Sequence, residues 1–332
     1  MKKYNIAVCG ATGLVGRKML EVLDERKIPI NNLYLFASEK SNGKILTFNN
    51  KEYRVKTLSK ENIENKKIDF ALFSAGGKIS KEFAPIFKEL GCVVIDNSSA
   101  FRMEKDVPLI VPEVNFIDIK KEDKIISNPN CSTIQCVLPL KPLNDLFKLK
   151  SINYVTFQAV SGSGKKGIED LKNSLEGKPN SFYPHPIANN CLPHIGAFLE
   201  NGFTEEEMKM VNETNKILNL NNIPISATCV RVPVLNSHTV SISAEFEKEI
   251  ELKEVREALK AFKGIELVDE PLNNIYPLAT LSNGKDEVLI GRIRKDLFNP
   301  NVLHFISVAD NIRKGAATNA VQILEEIIKE KN

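Results

Sequence analysis

The chain has 332 residues, 42% of them hydrophobic and 26% charged, with a formal net charge of +3. That length exceeds what one hydrophobic core usually holds, so two domains are expected. So small a positive excess points away from nucleic acid and membrane surfaces as partners, and no apolar run approaches the ~18 residues of a bilayer span. Six scattered cysteines make no disulfide framework. The N-terminus runs straight into a strand with no signal-peptide layout, so a cytoplasmic protein is expected. His185, His194, His238 and His304 show no ligand spacing, and no metal site is expected.

Residues 5–9 are a short apolar run of the kind that forms a buried parallel strand. It meets Gly10-Ala11-Thr12-Gly13-Leu14-Val15-Gly16, and Leu14, Met19, Leu20, Val22 and Leu23 then supply the buried face of a helix. Glycines between strand and helix let the backbone turn sharply and approach a pyrophosphate, which the helix N–H groups can hold. The alternative is a glycine-rich turn with no ligand. A second strand, 33–37, ends at Ser38, followed by Glu39, Lys40, Ser41, Asn42, Gly43 and Lys44. Lysines and serines here can hold a ribose 2′-phosphate, which favours NADP; Glu39 could instead serve the 2′-hydroxyl of NAD. A plain solvated loop is the third possibility. Residues 45–67 suggest a short hairpin and connector. A strand at 69–74, a helix at 80–90 and a strand at 92–95 follow. Asp96-Asn97-Ser98-Ser99 lie past that last strand, where open α/β sheets hold ligands. Arg102 in the next loop is either a surface arginine or a fork for a phosphate or carboxylate.

The stretch Ser127-Asn128-Pro129-Asn130-Cys131-Ser132-Thr133-Ile134-Gln135 is the centre of the chain. Asn128-Pro129 breaks regular structure, Asn130 is a good N-cap, and Ile134, Val137, Leu138 and Leu140 continue as a helix. Cys131 therefore falls in a first helical turn, where free N–H groups and the helix dipole favour a thiolate. Cys131 is then either a nucleophile or a small buried residue.

Beyond this helix the pattern changes. A strand at 152–160 leads into Ser161-Gly162-Ser163-Gly164-Lys165-Lys166. This is not a P-loop, because Ala159 stands at the first glycine position and Lys166 replaces the required Ser or Thr. A glycine-rich loop at a strand end can still face the nicotinamide half of a cofactor. Residues 177–200 have little periodicity and suit a surface segment or subunit contact. Thr204 and Glu207 form a capping box for a helix to about 218, with Glu206 and Lys209 on one face. That pair is either a solvated ion pair or a holder for a substrate with an amine and an anion. Residues 225–234 and 237–246 predict an antiparallel hairpin, with Arg231 on its first strand and His238 opening its second. A lone strand histidine is often structural, but His238 beside a turn can face a cleft. A helix at 252–262 and strands near 265–268, 287–294 and 303–308 follow. Asp310-Asn311 starts the last helix, whose apolar stripe packs back on the first domain. The expected fold is α/β. It comprises a Rossmann-type parallel-sheet dinucleotide-binding domain (1–130 and 311–332) and an inserted α+β catalytic and dimerisation domain with a largely antiparallel sheet (131–310).

Taken together, the glycine turn at 10–16, the cysteine motif at 127–133, Val160-Ser161-Gly162, Glu206-x-x-Lys209 with Glu213-Thr214-x-Lys216, and Cys229-Val230-Arg231-Val232-Pro233 ahead of His238 resemble the aspartate-semialdehyde dehydrogenases nearly end to end. The resemblance implies Cys131 as nucleophile, His238 as acid/base and Gln158 as the residue that positions the substrate. It implies Arg231 at the substrate α-carboxylate, Glu206 at its amino group, and Arg102, Lys209 and Asn130 at phosphate. Thr12, Gly13, Leu14, Val15, Ser38, Lys40, Ser41, Ser161, Gly162 and Asn311 would bind NADP. Lys40 stands where the family often has arginine, with Glu39 before it, which bears on NADP preference. The implied reaction is reduction of aspartyl phosphate to the semialdehyde through a cysteine thioester, in lysine, threonine, methionine and isoleucine biosynthesis, by a homodimer or a tetramer. An unperturbed thiol (pKa about 8.5) must first lose its proton, and an imidazole such as His238 can take it. Competing readings are an acyl-phosphate reductase for an acetylated substrate, which would not need Glu206, and a non-catalytic NADP-binding redox sensor.

Overall fold

A computed structural model describes residues 2–331. They form two compact units, one running to Pro129 and resuming at Ala316, the other spanning Asn130–Gly315.

The first unit contains β1 (Tyr4–Cys9), β2 (Ile30–Ala37), β3 (Ile45–Phe48), β4 (Lys51–Arg54), β5 (Lys56–Thr57), β6 (Phe70–Phe73), β7 (Val93–Asp96) and β8 (Ile125–Ser127). Six of these make one sheet in the order β5-β2-β1-β6-β7-β8, and every pairing in it is parallel. The short apolar runs behave as buried strands because both faces are covered. Ile6 and Val8 of β1 enter a core with Met19, Leu20 and Leu23 of helix Leu14–Glu25 and Leu324 and Ile327 of helix Thr318–Glu330. Ala7 and Cys9 enter the opposite core with Phe73 of β6 and Phe83 and Phe87 of helix Gly77–Glu89. Each fully buried large apolar side chain contributes about 1.5–3 kcal/mol. The glycine turn is required by this packing before any ligand is considered. Gly10 has φ of +86° and a Cβ there would stand 2.3 Å from the Ser74 carbonyl oxygen, while a Cβ on Gly16 would stand 2.2 Å from that of Gly10.

The second unit contains β9 (Leu149–Gln158), β10 (Ile225–Arg231), β11 (His238–Phe246), β12 (Ile265–Leu267), β13 (Val288–Lys295) and β14 (Val302–Ala309), in the order β10-β9-β11-β14-β13-β12. The hairpin expected between 225–234 and 237–246 does not form. Instead β9 lies between β10 and β11, parallel to the first and antiparallel to the second. The connection is not a tight turn. It carries Pro233, places Ser237 at φ of +74°, and offers the carbonyls of Val234 and Leu235 to the N–H groups of Val160 and Ser161. The chain thereby crosses the end of β9. Helix Cys131–Phe147 packs on the inner sheet face against β9, β11 and β14, and helix Glu205–Ile217 packs on β10. The capping box of Thr204 and Glu207 forms as expected.

The last helix begins at Thr318 rather than at Asp310-Asn311. The carboxylate of Asp310 draws in the N–H groups of Ile312 and Arg313, and Arg313–Ala317 is a π-helical turn. Residues 311–315, expected in the first domain, lie in the second unit; there Arg313 Nε pairs with Asp286 at 2.9 Å.

Candidate active site

Three strand termini converge at one end of the second unit's sheet. β9 ends at Gln158, β10 ends at Arg231, and β11 begins at His238. Gln158 and Arg231 are paired in register, and the next pair along β9 is Phe157 with Thr239, the neighbour of His238. The two-residue period of a strand puts Gln158, Arg231 and His238 on the inner, helix-covered face, and all three are buried.

The cysteine helix is fixed to that face by Gln135, one turn after Cys131. Its Nε2 donates to the carbonyls of His238 (3.2 Å) and Ser307 (3.1 Å). Asn130 builds the turn before Cys131 with three groups. Its Oδ1 accepts the N–H groups of Ser132 and Thr133, its own N–H donates to Glu213 at 2.6 Å, and its Nδ2 donates to Glu206 at 2.8 Å. Cys131 is thus the first helical residue, half-buried, at the positive end of the helix. Burial raises the thiols of Cys9, Cys92 and Cys136 and pushes Cys229 up to about 12, so none of these serves as a nucleophile.

Glu206 collects the polar groups expected around the substrate. Its Oε1 accepts from Asn130 and from Gln158 Nε2 (3.1 Å), and its Oε2 from Lys209 Nζ (3.0 Å). Burial pushes this carboxyl upward, but the Lys209 charge and the three hydrogen bonds together outweigh burial and hold it at about 2. It is an anion at neutral pH. His238 is the reverse case. Burial and then the Arg231 charge press its imidazole down to about 3, with Glu206 pulling the other way. It is therefore neutral.

Ala159 joins the remaining two side chains. Its N–H donates to His238 Nδ1 at 3.0 Å, and its carbonyl accepts from Arg231 Nη1 at 2.6 Å. Arg231 Nε and His238 Nε2 are buried with no hydrogen-bond partner among the described residues. Both side chains border Gly162, where a Cβ would stand 3.0 Å from Arg231 Nη1 and 3.4 Å from His238 Nε2. Nearby Ser161 bonds Asn311 and Asn236.

The candidates of the first unit are placed separately. Helix Leu14–Glu25 starts at Gly13 with no side-chain cap and no acidic residue in its first turn, so its leading N–H groups suit an anion. Thr12 Oγ1 meets Ser41 Oγ at 3.3 Å, in the one-turn helix Glu39–Ser41 that follows Ser38. Lys40 is exposed, and Glu39 is engaged by Thr57 Oγ1. These features fit a dinucleotide carrying phosphate on its ribose. Arg102 is buried and donates to the carbonyls of Asn128 (2.9 Å) and Asn97 (3.0 Å).

Sequence pattern marks neither Ala159 nor Gly315 for the site, and places Gln135 in the central stretch without giving it a role. Ala159 acts through its backbone and leaves no side-chain signal. Glu213 was noted only within a motif; its spacing of seven from Glu206, two helical turns, is the signal that marks both as one buried face. Gly315 lies against Cys131, for a Cβ there would stand 2.9 Å from Cys131 Cβ and 3.3 Å from its Cα. We expect Gly315→Ala to shift Cys131 and lower kcat by roughly ten- to a hundredfold. Steady-state rates beside an unchanged circular dichroism spectrum check this, and full activity would remove Gly315 from the site.

Two family models match the chain: "Semialdehyde dehydrogenase, NAD binding domain" over residues 5–122 and "Semialdehyde dehydrogenase, dimerisation domain" over residues 140–314. Fold and site thus define a semialdehyde dehydrogenase, an oxidoreductase class. The aspartate-semialdehyde dehydrogenase of Aquifex aeolicus is 57% identical over 98% of each chain. That of Campylobacter jejuni is 48% identical over 100% of this chain and 99% of its own. A Vibrio cholerae aspartate semialdehyde dehydrogenase II structure, complexed with ASA, superposes with a TM-score of 0.94 at 44% identity, covering 99% of each chain. A Candida albicans aspartate semialdehyde dehydrogenase structure with NADP has a TM-score of 0.79 at 26% identity, covering 98% of each. The chain belongs to the aspartate-semialdehyde dehydrogenase family.

Proposed function

We propose that this enzyme reduces L-aspartyl 4-phosphate to L-aspartate 4-semialdehyde with NADPH, and runs the phosphorylating oxidation in reverse. The observation that carries this is the set of opposed charges on one buried face. An arginine with a partnerless Nε suits an α-carboxylate, an ionised Glu206 suits an ammonium, and Lys209 suits a phosphate. A substrate acetylated on nitrogen carries no ammonium for Glu206 to meet, which favours the amino substrate.

The chemistry follows from the residues. The Cys131 thiolate attacks the acyl carbon, the bond to the phosphate oxygen breaks, and phosphate leaves a thioester behind. NADPH, when bound, supplies hydride to the thioester carbon. The carbon–sulfur bond then breaks, releasing the aldehyde and restoring the thiolate. Gln158 and Asn130 keep Glu206 oriented, and Arg231 orients the substrate. Ser161, Gly162 and Asn311 would hold the nicotinamide end, and Thr12 to Val15, Ser38, Lys40 and Ser41 the phosphates and ribose. The product would feed lysine, threonine, methionine and isoleucine synthesis in the cytoplasm. No helix among the described residues is long and apolar enough to cross a membrane.

The enzyme is proposed to act as a homodimer. The outer face of the second sheet supports this, with cross-strand rows such as Val230–Phe157–Thr239 and Thr228–Val155–Ser241–Ile306 left partly or fully exposed. The test follows nicotinamide absorbance after adding aspartate semialdehyde and phosphate, with NADP and NAD in parallel. Phosphate-dependent reduction of NADP is expected. Equal use of NAD would overturn the cofactor assignment, and no signal with either would overturn the reaction.

A further inference from the structure

We infer that Asp170 and Tyr183 are positioning residues for the loop 161–163, and that the hydrogen bond from the Tyr183 hydroxyl to Ser163 sets how tightly the nicotinamide half of the cofactor is held. This rests on the placement of NADP proposed above and adds residues that shape its site without touching it.

Asp170 is a buried carboxylate outside the proposed chemistry. It lies on helix Gly164–Leu175, on the same buried face as Gly167 and Leu171. Its charge is met by a stretch of chain eleven to thirteen residues further on. Oδ1 accepts the Ser181 N–H at 2.6 Å and the Ser181 hydroxyl at 3.2 Å, and Oδ2 accepts the Tyr183 N–H at 2.9 Å. Burial pushes this carboxyl up, yet the hydrogen bonds from Ser181, Tyr183 and Phe182 outweigh burial and hold it below the ordinary range. The anion thereby closes 181–183 onto the helix, and Asn180 Nδ2 donates to the Tyr183 carbonyl. Held in this way, Tyr183 donates its hydroxyl to Ser163 Oγ at 3.1 Å. Burial raises that hydroxyl, so it stays a donor. Gly167 leaves room for the contact, since a Cβ there would stand 2.7 Å from Tyr183 Oη and 2.8 Å from Ser163 Cβ.

Ser163 closes the one-turn helix Val160–Ser163. The entry to that turn is fixed by backbone, for the N–H groups of Val160 and Ser161 donate to the carbonyls of Val234 and Leu235 at 2.9 and 3.1 Å. Its exit is fixed by the bond from Tyr183. Gly162 lies between the two ends, beside Arg231 Nη1 and His238 Nε2. A turn free to swing at its exit would carry Gly162 away from the place where the nicotinamide half is proposed to sit. Binding would then have to order the turn, and affinity would fall by that cost. The same stretch of chain runs on to Leu192, whose backbone exchanges hydrogen bonds of 2.8 and 2.9 Å with Arg231. Val160, Leu171, Tyr183, Ile187 and Leu192 form one apolar cluster beneath it. Loss of the Tyr183 hydroxyl therefore removes the bond to Ser163 and leaves the ring in its cluster.

The test measures dissociation constants on the full-length enzyme by isothermal titration calorimetry, for NADP and for adenosine 2′,5′-bisphosphate, which carries the adenine end and no nicotinamide. Tyr183→Phe is expected to weaken NADP by roughly three- to tenfold and to leave the bisphosphate unchanged. Ser163→Ala should do the same, and the double variant no more than either single one, because both remove one bond. Asp170→Asn turns an acceptor oxygen into a donor facing an N–H group, and is expected to weaken NADP at least as much as Tyr183→Phe. Unchanged NADP affinity in Tyr183→Phe, equal losses for the two ligands, or additive losses in the double variant would overturn the inference. Unchanged NADP affinity in Asp170→Asn would remove Asp170 from it, and if that variant does not fold, Tyr183→Phe and Ser163→Ala still decide. The wild-type enzyme is titrated first. Failure to bind NADP there overturns the cofactor assignment, whereas wild-type binding left intact by Tyr183→Phe overturns this inference alone.

Discussion

Cys131→Ala is expected to abolish turnover while NADP binding persists. The loss should reach roughly four orders of magnitude or more, because in the proposed reaction the thiolate forms the bond on which every later step depends. The buried cysteines are poor replacements. Cys136 lies on the same helix but is fully buried with its thiol raised, and Cys229 is pushed up to about 12. Folding should survive. The helix cap is made by Asn130, and Gln135 ties the helix to β11 and β14, so the helix keeps these anchors without the thiol. The check pairs steady-state rates with titration of NADP by fluorescence. Residual turnover above about a hundredth of wild type would mean that hydride transfer needs no thioester. Loss of cofactor binding together with activity would show a folding defect in place of a chemical one.

Arg231→Lys is expected to raise KM for the amino-acid substrate by roughly a hundredfold, with a smaller change in kcat. The arginine has one arm committed to the Ala159 carbonyl and an Nε without a protein partner. A planar guanidinium serves the backbone and a carboxylate at once. A single ammonium must choose, and loss of one charge-assisted hydrogen bond in a buried site costs about 2–3 kcal/mol. The strand itself should stay in place, because the backbone of residue 231 exchanges hydrogen bonds of 2.8 and 2.9 Å with Leu192. Initial rates at varied semialdehyde concentration decide the matter, and an unchanged KM would remove Arg231 as the carboxylate holder.

The elements governed by local signals were legible in the sequence. The apolar runs at 5–9 and 92–95 form parallel strands, the Thr204–Glu207 box caps its helix, and Asn130 caps the helix that begins at Cys131. The same local signals misled at 225–246. Two strands with a short connection predict a hairpin, and nothing in their own residues announces that β9 pairs with both. The start of the last helix was misplaced for a related reason, since Asp310 caps two N–H groups without beginning an α-helix. Within the candidate site, Cys131, Glu206, Lys209, Arg231 and His238 stand out by residue type and position, while Gln158 enters only through the family resemblance. What type cannot reveal is backbone: the Ala159 amide and carbonyl, and the space at Gly162 and Gly315.

The insertion of β9 has a consequence for how the enzyme becomes active. A chain emerging during synthesis presents 225–231 and 238–246 as close neighbours, and direct pairing between them is the low-entropy alternative. That pairing would exclude β9 and with it Gln158 and Ala159. The native arrangement needs a segment made some seventy residues earlier to be captured between them. Arg231 and His238 are thus adjacent in the gene but meet their common backbone partner only through distant contacts. Acquisition of the proposed activity is thereby coupled to the slow, non-local step of folding, so a chain that has merely collapsed holds every candidate site residue and no assembled site.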